Sequence, residues 1–133
     1  QVGQDTVWWD DALLWQARSA VASQLFSKGL KLYKELMDSM ESSWFVGSYN
    51  SEFMDEAFFE YAKTLKKTKR IEDARQAFRK LIEELPESRL KDDAAYELAL
   101  LVPKFEQTRA LQEFIKTYPH SRHVKSAKRA LKL

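Results

Sequence analysis

Two stretches of this chain repeat one another 33 residues apart, and that period limits the folds open to it more than any other feature. Leu81-Ile82 followed by Leu85-Pro86-Glu87-Ser88 is echoed by Phe114-Ile115 followed by Tyr118-Pro119-His120-Ser121. Ala94 and Ala127 keep the same offset. A period of this length means a supersecondary unit that cannot bury its own apolar side and must stack on its neighbours. Proline cannot continue a helix and disfavours helix in the residue before it, so each echo marks an exit. Ser88 and Ser121, two residues later, read as N-caps of the following helices.

A second pattern marks the other half of each unit. Asp10-Asp11-Ala12 is followed by Ala17, Asp55-Glu56-Ala57 by Ala62, and Asp92-Asp93-Ala94 by Ala99. Acidic residues suit a helix N-terminus, where unpaired N–H groups and the dipole favour negative charge. Alanine lets a neighbouring helix come close. Each segment therefore reads as the first helix of a hairpin. Composition agrees: 3 Gly and 3 Pro in 133 residues are too few for an all-β fold. Ala, Leu, Lys, Glu and Arg, abundant here, lose least on entering a helix. The pattern predicts helices near 8–24, 27–41, 53–67, 71–85, 90–102, 106–118 and 121–132.

The middle unit resembles the tetratricopeptide repeat, a helical hairpin of about 34 residues. That family's pattern of large and small residues is met by Phe58, Tyr61, Ala62, Leu65, Ala74, Phe78, Leu81 and Pro86. The third unit supplies Ala95, Leu98, Ala99, Val102, Leu111, Phe114 and Pro119, with Gln107 at an alanine position and Pro103 in a shortened turn. The first fits more loosely through Leu13, Ala17, Ala20, Gly29, Tyr33 and Leu36, and lacks the closing proline. Phe114, Tyr118-Pro119, Ser121 and Ala127 also look like the bacterial cell-envelope subgroup. That subgroup includes the Tol–Pal-associated periplasmic protein and the lipoprotein of the outer-membrane β-barrel assembly machine.

The resemblance implies an all-α fold in a single domain over 1–133: a right-handed superhelix of about three hairpins (8–41, 53–86, 90–119) with a capping helix at 121–133. In the cap, Val124, Ala127, Ala130 and Leu131 face inward, and Arg122, Lys125, Lys128, Arg129 and Lys132 form a polar outer face. The same basic run suits phosphate or an anionic glycan. Residues 42–52 read as a loop from their Ser, Gly and Asn. Its Trp44, Phe45 and Tyr49 either tuck under the array or form a secondary binding surface.

In this family the first helix of each hairpin lines a concave groove. Carried over by register, the groove positions are Leu14, Trp15 and Arg18, then Phe59, Glu60 and Lys63, then Tyr96, Glu97 and Leu100. Aromatic residues with Arg18 and Lys63 a turn later describe an apolar strip with basic edges, suited to a peptide with hydrophobic anchors and a carboxylate. The competing reading has these aromatics filling space between hairpins. The family's carboxylate clamp for chaperone C-termini uses Lys and Asn where this sequence is mostly apolar or acidic.

Other chemistries find little in the sequence. A formal charge of +2 does not imply nucleic acid. No apolar run is long enough to span a bilayer, although a lipid anchor outside these residues stays open. Gln1-Val2-Gly3-Gln4 is no signal peptide and reads as the start of a mature or trimmed chain. Cysteine is absent, which removes disulfides and thiolate ligands. His120 and His123 are a partial metal site at most, with no acidic or cysteine companion close in sequence; capping and solvation account for them. There is no nucleophile motif, three glycines cannot build a phosphate loop, and adjacent carboxylates such as Asp92 and Asp93 diverge on a helix.

No enzyme activity, metal or cofactor is therefore expected. The expected function is a protein-interaction scaffold in the bacterial envelope, periplasmic or outer-membrane-associated, gripping a peptide segment or partner helix. Two alternatives stand beside it. One is a non-catalytic helical module of a larger envelope enzyme, as in lytic transglycosylases. The other is self-assembly into an oligomer through Trp8, Trp9 and the 42–51 loop.

Overall fold

The computed structural model describes residues 2–42 and 51–132, with side chains over 12–38 and 54–132. Among the described residues it has seven helices and no strand: α1 (Val2–Ala22), α2 (Phe26–Ser42), α3 (Ser51–Lys67), α4 (Ile71–Glu84), α5 (Lys91–Leu101), α6 (Lys104–Thr117) and α7 (Val124–Ala130). Chain neighbours pack as the hairpins α1–α2, α3–α4 and α5–α6; α2 rests on α3, α4 on α5, and α7 on α6. Of the expected loop at 42–52, residue 42 closes α2 and residues 51 and 52 open α3; the rest lies outside the described residues with Trp44, Phe45 and Tyr49, as do the side chains of Trp8 and Trp9.

The repeat register explains the core. Phe58, Ala62, Leu65, Ala74, Phe78 and Leu81 are all sealed from solvent, joining Leu13, Ala17, Tyr33 and Leu36 from the first hairpin. A second cluster holds Ala99, Leu111, Phe114 and Ala127. Helix α5 belongs to both: Ala94, Leu98 and Leu101 turn towards the first cluster, while Ala95, Tyr96, Ala99 and Leu100 turn towards the second. That double role is why its sequence is apolar around most of its circumference.

The turns inside the hairpins end their helices in two ways. After α1, Gln24 adopts φ 64°, Leu25 N–H bonds to Ala20 O and Gln24 N–H to Val21 O. After α3 the same pair recurs, with Lys69 at φ 67°, Arg70 N–H on Leu65 O and Lys69 N–H on Lys66 O. This is the Schellman arrangement, which satisfies carbonyls that a helix end leaves open. The third turn is only Val102-Pro103, both extended, and has no room for it. Here Gln107, standing where the family pattern has alanine, donates its amide to Leu100 O and Val102 O. The departure from the pattern is the repair of a shortened turn. In the first hairpin, Gly29 is needed for close approach: a Cβ there would lie 2.6 Å from Val21 Cγ2.

The acid pairs and the Pro-x-Ser turns of the sequence meet in space. The Ser88 hydroxyl donates to Asp55 Oδ2 at 2.6 Å, and Arg89 pairs with Glu56. One unit later, Ser121 donates to Asp92 Oδ2 at 2.6 Å and Arg122 pairs with Asp93. Helices α3 and α5 are thus each fastened near the N-terminus to the turn that introduces the following first helix, α5 or α7. Continuing the 33-residue register, Lys125 and Ser126 of α7 stand where Asp92 and Asp93 would recur.

The expectation that these serines cap helices is corrected. Each accepts the N–H two residues on, Leu90 or His123, in a turn ahead of the helix. For the same reason α7 starts at Val124 and not at 121. The cap's inward face is corrected too: Ala130 is exposed. Val124, Ala127 and Leu131 fall on one line of the helix, and Ala130 sits about a quarter of a turn from it.

Candidate functional site

Helices α1 and α3 form one face, because they touch directly although α2 lies between them in the chain. Two sets of ion pairs run along it. The Arg18 guanidinium reaches from α1 to Glu56 and Glu60 on α3, both at 2.7 Å, and Tyr33 donates its hydroxyl to Glu60 at 2.8 Å. Lys66 on α3 pairs with Glu97 on α5 at 2.6 Å. Hydrogen bonding to Glu60 above all, with Glu56 adding to it, raises the Arg18 pKa and holds the guanidinium firmly charged. Burial, reinforced by the Glu60 carboxylate, raises the Tyr33 pKa well above its ordinary value and keeps the phenol neutral.

These contacts sort the expected groove residues. Trp15 is 61 % exposed, with Arg18 5.3 Å from its ring centre, so the indole sits on the surface at the border of α1 and α3. Lys63 is exposed, its ammonium 5.7 Å from the ring centre of Phe59. Phe59 is half-buried and meets Phe78 edge-on at 5.7 Å, so one side of its ring is committed to packing.

Leu14 is corrected: it is fully buried in the first cluster, because it continues the helical stripe of Ala17 rather than that of Trp15 and Arg18. Arg18 is corrected as a basic edge, since two carboxylates already match its charge. Tyr96 and Leu100 are half-buried members of the second cluster. Tyr96 stacks on His123 at 4.6 Å and tilts against Phe114 at 5.5 Å, filling space between α5, α6 and the entry to α7. Arg18 and Lys63 therefore border one recess across α1 and α3, Trp15 stands beside Arg18 and Phe59 beside Lys63, and Tyr96 and Leu100 belong to the third hairpin.

The sequence also hid a partner for His123. Its Nε2 meets the buried Asp93 carboxylate, which Arg122 shares, so an acidic companion does exist, 30 residues away. The pair closes the junction between α5 and α7. No group of three His, Cys, Asp or Glu able to hold a metal occurs among the described residues.

Beside Lys63 lies a recess of about 690 Å³ between the second halves of α1 and α3. Val21 and Ala22 give it an apolar wall, and Lys63, Lys66, Lys67 and Lys69 line its α3 side. Three of these lysines were missed by carrying over family positions alone. Their signal was the run from Lys63 to Arg70, in which 63, 66 and 67 share one face of a helix.

None of the described helices is long and apolar enough to cross a membrane. A search of curated proteins gives no match. Residues 56–88, from the first turns of α3 to the serine that fastens α5, match the family model described as tetratricopeptide repeat. The α3–α4 hairpin is thus similar to a repeat of that family, and the all-helical array supports a tetratricopeptide-like fold whose repeats generally mediate protein–protein interaction.

Proposed function

We propose that this chain is a protein-interaction scaffold that holds an extended segment or partner helix against the face of α1 and α3. The observation that carries the reading is Trp15, an indole left 61 % exposed beside Arg18, whose guanidinium lines an open recess together with Lys63. Tryptophan is among the residues most enriched as binding anchors. The ion pairs from Arg18 to Glu56 and Glu60 fix the two helices relative to one another, so the face is preorganised and a partner loses less on ordering it.

Within that reading, the compartment is the bacterial envelope, on the likeness of Phe114, Tyr118-Pro119, Ser121 and Ala127 to envelope members of the family. A photo-crosslinking residue at Trp15, in cells expressing the native gene, tests the function. Protein adducts are expected from position 15 and not from Arg79, exposed on α4. Equal adducts from both positions, or none from position 15, would refute the assigned face. Fractionation of the same cells checks the compartment.

A further inference from the structure

The recess between α1 and α3 carries more positive charge than the fold uses. Of its five cationic lining residues, Arg18 is matched by Glu56 and Glu60, and Lys66 by Glu97. Glu60, the one carboxylate in the wall, is engaged by Arg18 and Tyr33. Lys63, Lys67 and Lys69 remain, and none of them pairs with a carboxylate among the described residues. Lys63 and Lys67 are a turn apart on α3, where like charges repel.

The dipole of α3 offsets part of this at its C-terminal end. That accounts for some positive charge in the last turn, but not for its collection around a recess. Two of the ammonium groups are held by aromatic faces, Lys63 over Phe59 at 5.7 Å and Lys67 over Phe26 at 5.6 Å, so they are positioned rather than loose. The wall opposite them is apolar, Val21 and Ala22. A volume of about 690 Å³ accepts several side chains and falls in the usual range of ligand sites.

Resting on the scaffold reading above, we infer that this recess takes an acidic peptide segment. Its carboxylates lie against Lys63, Lys67 and Lys69, and an apolar side chain between them rests on Val21 and Ala22. The segment continues past Phe59 towards Trp15. Three unmatched cations facing an apolar wall fit alternating acidic and apolar side chains, and the anionic partner relieves the repulsion that the free protein carries.

The test uses the full chain and a fluorescein-labelled octapeptide of alternating Glu and Leu, followed by anisotropy, with the Gln–Leu octapeptide as its uncharged counterpart. The acidic peptide should bind at least about tenfold tighter than its counterpart, and more weakly as salt rises. The triple variant Lys63→Glu, Lys67→Glu, Lys69→Glu should weaken it at least about tenfold, with Lys67→Gln intermediate. The pair Lys128→Glu, Arg129→Glu on α7 should change it less than about twofold.

Circular dichroism should find the triple variant folded, since these side chains are exposed; if it unfolds, the Lys67→Gln result decides. Equal binding of the two octapeptides overturns the inference, as does equal loss in the α7 variant. Lysine-dependent binding of a labelled RNA oligonucleotide or anionic vesicles without peptide binding overturns it as well. Protein adducts from position 15 that persist unchanged in the triple variant would reject the acidic segment while leaving the scaffold standing.

Discussion

Replacing Arg18 with methionine keeps an apolar stem of similar length and removes the charge that ties α1 to α3. The guanidinium makes four hydrogen bonds to Glu56 and Glu60 at 2.7–3.1 Å, from side chains 27–29 % exposed. Fully exposed pairs contribute about 0–1 kcal/mol, and breaking a fully buried one costs about 3–5. Glu60 keeps the Tyr33 hydroxyl and Glu56 keeps Arg89, so neither carboxylate is stranded. A loss of about 1–2 kcal/mol follows. In a stacked array each unit answers to its neighbours, so the loss should fall on opening of the first hairpin. Amide hydrogen exchange read by mass spectrometry should speed up about five- to thirtyfold in α1 and α2, and little in α5 and α6. Uniform acceleration across the chain, or none in α1 and α2, would refute this account of how the hairpins are joined.

The Tyr33 phenol gives a pH signature. Its pKa is raised on folding, so its contribution is complete below its ordinary value of 10.0 and is lost as pH climbs above that; the stability gap between wild type and Tyr33→Phe in urea should narrow from pH 8 to 11. Gln107→Ala restores the family residue yet should cost about 0.5–1 kcal/mol, because the ends of α5 lose their amide donor. Gln24→Gly should raise the urea midpoint by the equivalent of about 0.5–1 kcal/mol, since the φ of 64° strains any residue with a Cβ. Phe78→Ala should cost about 3–5 kcal/mol, while Trp15→Ala stays within about 0.5–1; similar losses would mean the indole is part of the packing.

What the sequence made legible is what local spacing encodes. Phe58, Ala62, Leu65, Ala74, Phe78 and Leu81 were readable as core because large and small residues recur within one hairpin, and all are buried. The same logic placed Leu14 on the binding face, since register carried from a better-fitting unit cannot tell adjacent positions of a loosely fitting helix apart. Contacts across 29 to 42 residues were beyond reach: the sequence showed the acids at 55, 56, 92 and 93 and the serines at 88 and 121, but not that they meet. Gln107 looked like a blemish in the pattern until the two-residue turn beside it gave it carbonyls to satisfy. For Tyr96, the deciding neighbour was His123, which the sequence offered only as half of a weak metal site.

The paired fastening of Asp55–Ser88 and Asp92–Ser121 also sets a rule for lengthening the array. Residues 88–120 carry both halves of the junction: Ser88-Arg89 to engage the unit before, and Asp92-Asp93 to receive the unit after. A tandem copy of that stretch, inserted after residue 120, meets complementary groups at both seams and needs no new chemistry. Helix α7 offers no such seam, because Lys125 would face the incoming serine and its arginine where a carboxylate is required. Changing Lys125 and Ser126 to aspartate would supply it. The junctions from α3 to α5 and from α5 to α7 are thus matched and the register at α7 is not, a grammar by which a solenoid can grow by duplication of residues 88–120.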